Sequence, residues 1–163
     1  MSRVIVSRVI DAPVNTVWEV FTDLPGRVAR LSEVERVDLI TPGPLALGSR
    51  WRETRLRTTG TPATAEFIVT GIEPERCCTI ALAGADSPNH LTYLFSAVEI
   101  GSHRGGTAVS VVAEAYPHGL TNRLLQFILG GFAARTVEGA LRTELDALAT
   151  VCAERRPIDP AAA

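Results

Sequence analysis

Residues Leu120–Glu154, LTNRLLQFILGGFAARTVEGALRTELDALATVCAE, carry the longest helical pattern in the chain. The second half sets Val137, Leu141, Leu145, Leu148 and Cys152 on one stripe, with Arg135, Glu138, Arg142, Glu144 and Glu154 elsewhere. That is the pattern of a helix packing one face on a core. In the first half, Leu120, Leu124, Leu125, Phe127, Ile128, Leu129 and Phe132 surround most of the circumference, which predicts burial on more than one side or an exposed apolar patch. Gly130-Gly131 lies between the halves, and each glycine costs up to about 1 kcal/mol relative to Ala inside a helix. A bend or a close approach is the expected reason.

Upstream, from Val34 to Tyr116, the period changes to short β-type runs separated by turn residues. The expected strands are Val34 to Ile40, Ser49 to Thr58, Thr64 to Ile72, Cys77 to Ala83, His90 to Ile100 and Thr107 to Tyr116. Thr41-Pro42-Gly43-Pro44, Thr59-Gly60, Glu73-Pro74, Asp86-Ser87-Pro88-Asn89 and Gly101 through Gly106 supply the turns. At the start, Arg3 to Ile10 is rich in β-branched residues and reads as a strand. It stops at Asp11-Ala12-Pro13, where a helix is expected with Asp11 as cap. Val14, Val17, Trp18 and Phe21 then form a buried stripe up to Asp23-Leu24-Pro25-Gly26, and a second short helix follows from Arg27 to about Ser32.

Strand, two short helices, six strands and a long helix make an α+β order. Seven antiparallel strands must bury the long helix against one face of a curved sheet. A helix with Gly130, Gly131, Ala133 and Ala134 on several faces leaves space beneath it, so the order predicts an apolar cavity. Residues 1–155 are expected to form one domain, with 156–163 a patternless, flexible tail.

The 163 residues are 46% apolar and 21% charged, with a net charge of −2. All sixteen basic residues are Arg, scattered from Arg3 to Arg156, so there is no basic face for nucleic acid. Cys77, Cys78 and Cys152 imply no disulfide framework, and adjacent Cys77 and Cys78 point to opposite faces of a strand. Met1-Ser2-Arg3 runs straight into a strand, and no run of 18 apolar residues occurs. A cytoplasmic protein with reduced thiols and no membrane span is expected. His90, His103, His118 and the cysteines lack metal-ligand spacing, and Gly101 to Gly106 opens a strand and not a helix, so it is no phosphate loop. Neither a metal nor any other cofactor is predicted.

Three stretches stand out together: Ile10-Asp11-Ala12-Pro13 with Val17-Trp18, then Leu47-Gly48-Ser49-Arg50-Trp51-Arg52-Glu53-Thr54-Arg55, then Val69-Thr70 with Ile72-Glu73-Pro74. Gly105-Gly106-Thr107 and Leu141, Leu145 and Leu148 of the closing helix complete the set. On these residues the chain resembles the START/SRPBCC helix-grip superfamily, and within it the polyketide cyclase/dehydratase-like group most closely. The resemblance implies a ligand cavity between helix and sheet, taking a lipid, polyketide or isoprenoid-like molecule.

On the third strand Trp51, Glu53, Arg55 and Arg57 share one face while Arg50, Arg52, Thr54 and Leu56 share the other, so either face buries charge. If the Trp51 face points inward, Glu53 and Arg55 either anchor a ligand or pair internally. Tyr93 is expected inside with Phe95, as a hydroxyl donor or simply packed. Tyr116, His118, Asn122 and Gln126 cluster at the expected cavity mouth. Of these only His118 is of a residue type with a near-neutral reference pKa, yet it follows a proline in a turn and otherwise reads as a solvated turn residue. The leading expectation is a carrier of a small hydrophobic molecule, with Trp51, Phe67, Tyr93, Phe95, Phe127 and Phe132 lining the pocket. The alternatives are a polyketide cyclase, aromatase or dehydratase moving protons through Tyr93, Glu53 or His118, and an accessory or homodimeric protein associating through Leu120 to Phe132.

Overall fold

The computed structural model describes residues 2–57, 59–84, 90–101, 103–115 and 134–155. Strand β1 (Ser2–Ile10) leads into helix α1 (Val14–Thr22). The N-cap residue is Pro13, at φ −66°, and not the expected Asp11. Ala12 N–H donates to the Ile10 carbonyl (2.9 Å), and buried Thr107 Oγ1 donates to the Ala12 carbonyl (2.8 Å). The proline ring starts the helix by fixing φ.

Asp23 shapes the next turn, its Oδ1 accepting from Gly26 N–H (3.2 Å), and the one-turn helix α2 (Arg27–Arg30) follows. This helix is shorter than the expected run to Ser32, because Leu31 is already extended. Six strands come next: β2 (Val34–Leu39), β3 (Arg50–Leu56), β4 (Pro62–Glu73), β5 (Cys77–Leu82), β6 (His90–Ile100) and β7 (His103–Ala115). Together with β1 they form one seven-stranded, curved antiparallel sheet in the order β1-β7-β6-β5-β4-β3-β2. The first strand therefore pairs with the last, and the two short helices after β1 lie on the concave side.

Strand β7 starts earlier than the sequence suggests. His103 already pairs with Ile100, and a register shift after Val98 leaves Gly105 as the extra residue of a bulge. The glycine run expected as a turn is therefore mostly strand.

Helix α3 (Ala134–Glu154) closes the fold and packs on β1, α1 and α2. Val137, Leu141, Leu145, Leu148 and Cys152 are all buried, as their stripe predicts. The earlier half of the predicted long helix, Leu120 to Ala133, lies outside the described residues, as does the tail from Arg156. The core facing α3 is built from alternate residues of each strand, including Val6 and Ile10 of β1, Phe67 and Val69 of β4, and Val109, Val111 and Ala113 of β7.

Candidate functional site

The orientation of β3 decides what the concave face contains. Trp51, Glu53 and Arg55 point inward and are 2%, 1% and 4% exposed, while Arg50, Arg52 and Leu56 face water. Both faces carry charge, so the choice turns on where each charge can be paired. Outside, Arg52 Nε lies 3.2 Å from Glu66 Oε2, and Arg50 also reaches Glu66. Inside, Trp51 stacks on its cross-strand partner Phe67, with ring centroids 5.4 Å apart and planes at 20°. An indole ring buries on the order of 200 Å² of surface. That gain accompanies burial of two charges only because partners await them.

One partner is Arg27 of α2, 8% exposed, whose Nε donates to Glu53 Oε2 (2.8 Å) and whose Nη1 donates to Glu144 Oε1 on α3 (2.8 Å). Arg55 Nε donates to the other oxygen of Glu53 (2.5 Å), and its Nη1 lies 3.7 Å from Glu33. A guanidinium with donors in a planar fork suits this bridging geometry. The cluster thus joins α2, β3 and α3 inside the core. Burial by itself raises both glutamates, but the Arg27 guanidinium first, and then Arg55, outweigh it and hold Glu53 and Glu144 below the usual carboxylate range. Burial and then the nearby Glu144 carboxylate push the Tyr93 hydroxyl well above the ordinary tyrosine range, so it stays protonated.

Arg27, Arg55, Glu53, Glu144 and Tyr93 line a small interior pocket together with Phe21, Leu24, Leu45, Trp51, Phe67, Ile80 and Leu91. Its volume is about 20 Å³, room for a single water. Among the described residues, buried Trp51 Nε1 has no hydrogen-bond partner. A second and larger space, about 310 Å³, is a groove at the surface between the end of α1 and the β2–β3 connection.

Five residues singled out in the sequence meet at the interior pocket: Trp51, Glu53, Arg55, Phe67 and Tyr93. Phe95 is buried one layer away, edge-on to Trp18 (5.1 Å) and against Phe21 (5.1 Å). Tyr116, His118, Asn122, Gln126, Phe127 and Phe132 lie outside the described residues. Two expectations change. The described interior pocket is mostly apolar in its lining, as expected, but it is not roomy, because aromatic rings and an ion-pair cluster occupy the space. Glu144 belongs to the buried side of α3, not to its polar face. Its signal was present: Glu144 stands three residues after Leu141 and four before Leu148, on the edge of the apolar stripe. Arg27 carried no comparable signal, since a four-residue helix has no period to read.

Among the described residues no cluster of His, Cys, Asp or Glu is arranged to hold a metal, and no helix is long and apolar enough to cross a membrane. The three cysteines are free thiols, and burial, then neighbouring Cys77, pushes Cys78 up to about 12.

Residues 1–153 match the family described as polyketide cyclase / dehydrase and lipid transport. The chain belongs to that family. Among solved structures it is similar to TTHA0849 from Thermus thermophilus (18% identity, TM-score 0.68), covering 96% of this chain and all of that one. It is also similar to Ara h 8.0201 (9% identity, TM-score 0.63), over 94% of this chain and 99% of that one. A third likeness is to DynU16, a protein of the dynemicin biosynthetic locus (17% identity, TM-score 0.61), over 96% of this chain and 49% of the longer DynU16. At these identities the likeness establishes the helix-grip fold. No match is found among curated proteins.

Proposed function

We propose that this member of the polyketide cyclase / dehydrase and lipid transport family binds a small, neutral, hydrophobic molecule of lipid, polyketide or isoprenoid type without covalent chemistry. An oxygen of that molecule accepts a hydrogen bond from Trp51 Nε1. The observation carrying the reading is this buried indole N–H, which has no acceptor among the described residues. An unsatisfied buried donor costs about 1–3 kcal/mol, and native interiors rarely leave one without a reason. A ligand oxygen removes that cost only in the bound state.

Charge accounting favours a neutral guest. Arg27 and Arg55 are matched by Glu53 and Glu144 at the pocket, so an added carboxylate would sit beside two existing ones. Binding is favoured over catalysis because both glutamates are held low by arginines and make weak general bases near neutral pH. A cyclase or dehydratase is the second reading. It draws on the family description and on Tyr93, a protonated hydroxyl in the pocket lining. Turnover abolished by Tyr93→Phe with binding intact would establish that reading.

The test of binding uses prodan, a neutral naphthyl ketone whose emission reports its surroundings. Saturable binding is expected, weakened roughly two- to tenfold in Trp51→Phe, the loss of one net hydrogen bond. A wild-type protein giving no saturable signal, or a Trp51→Phe variant of unchanged affinity, overturns the assignment.

A further inference from the structure

The groove and the pocket have two wall residues in common, Leu24 and Leu45. Leu24, 7% exposed, sits in the turn between α1 and α2, where its N–H donates to the Thr22 carbonyl (2.9 Å) and its own carbonyl accepts from Arg27 N–H (3.1 Å). Leu45 is half-buried in the β2–β3 connection, between Gly43 (φ +91°) and Gly48 (φ +82°). Both residues stand in the walls of the two spaces.

The two spaces are unequal in complementary ways. The outer one holds about 310 Å³, at the lower end of what ligand sites occupy. The inner one holds about 20 Å³ but is lined by Trp51, whose indole N–H has no acceptor among the described residues. Volume lies outside the divide and the specific hydrogen bond lies inside it.

We propose that groove and pocket are the outer and inner chambers of one ligand site, partitioned by Leu24 and Leu45. Its occupant is an elongated neutral hydrophobic molecule that rests its body in the groove and passes a terminal carbonyl oxygen between the leucines to Trp51 Nε1. This rests on the binding reading above and adds the route and the shape of the guest. The groove wall points the same way about charge: Glu19 and Asp23 line it against one arginine, Arg50. Arg50 is already ion-paired with Glu66, and Asp23 lies 3.9 Å from Arg155, so the wall offers an anionic lipid or acid no surplus of positive charge, whereas a ketone, ester or aldehyde needs none.

The partition makes a kinetic statement that equilibrium affinity does not. Stopped-flow mixing with prodan, on the full chain, measures association and dissociation separately. Leu45→Ala trims the partition at a half-buried loop position, and both rates are expected to rise about threefold or more, with Kd moving less than either. Leu45→Trp thickens it and is expected to slow association about tenfold, with Leu45→Phe in its place should circular dichroism show the tryptophan variant misfolded. Rates equal to wild type in the Ala variant and in the folded bulky variant overturn the partition. If Trp51→Phe still weakens binding in that case, the binding reading survives and only the route is wrong. A wild-type protein that does not bind prodan removes both.

Discussion

Arg27 is the residue on which the interior depends, since it bridges Glu53 on β3 and Glu144 on α3 from a single guanidinium. Replacing a buried ion-pair network by apolar groups is often neutral, but deleting one member strands the others and costs about 3–5 kcal/mol. Glu144→Ala, which leaves Arg27 short of a partner, is expected to lose about 3 kcal/mol in chemical denaturation. A loss near zero would mean that water reaches the cluster. The pH dependence follows from the same pairs. Glu53 and Glu144 lie lower in the folded protein than in the unfolded chain, whose glutamates titrate at about 4.3. Their contribution is therefore fully present above that unfolded value and is lost as pH falls through the folded ones. Urea midpoints are expected to hold steady from about pH 6 upward and to drop in acid, with a shallower acid drop in Glu53→Gln. A midpoint rising on acidification would reverse the assignment.

Helix α3 shows how far periodicity carries at the scale of an element. Its stripe from Val137 to Cys152 packs against the sheet because those side chains recur on one face. Leu141 is fully buried whereas its neighbour Arg142 is exposed, paired with Glu138 one turn back (2.6 Å). Leu141→Ala is expected to cost about 2–5 kcal/mol through the cavity it leaves. Arg142→Ala is expected to cost no more than about 0.5 kcal/mol, the worth of an exposed i,i+4 pair. Equal effects in thermal melts would mean the helix is docked in another rotation. On β3 periodicity was not enough. The alternation of Arg50, Trp51, Arg52, Glu53 and Arg55 offered two charged faces, and the inward one was settled by Arg27 of α2, remote in sequence and itself paired with Glu144 of α3.

At the scale of the molecule, the cysteines report how cooperatively these parts hold together. Cys78 in β5 and Cys152 in α3 are buried, while Cys77 is half-buried at the start of β5. Cys77 is expected to react first with a thiol reagent, and Cys78 and Cys152 only as denaturant unfolds the whole domain. Early modification of Cys152 alone would show α3 undocking as a separate unit. The β-type runs, the stripe of α3, and Tyr93 with Phe95 as inward candidates were legible from the sequence, whereas the inward face of β3 was left open. Side-chain period is a local property of backbone geometry, and burial of apolar area follows it. The bond from Arg27 to Glu144, the buried setting of the Trp51 indole N–H and the leucine divide between groove and pocket were decided by tertiary structure alone. Each depends on the distance between groups on different elements, and that distance exists only once the chain has closed on itself.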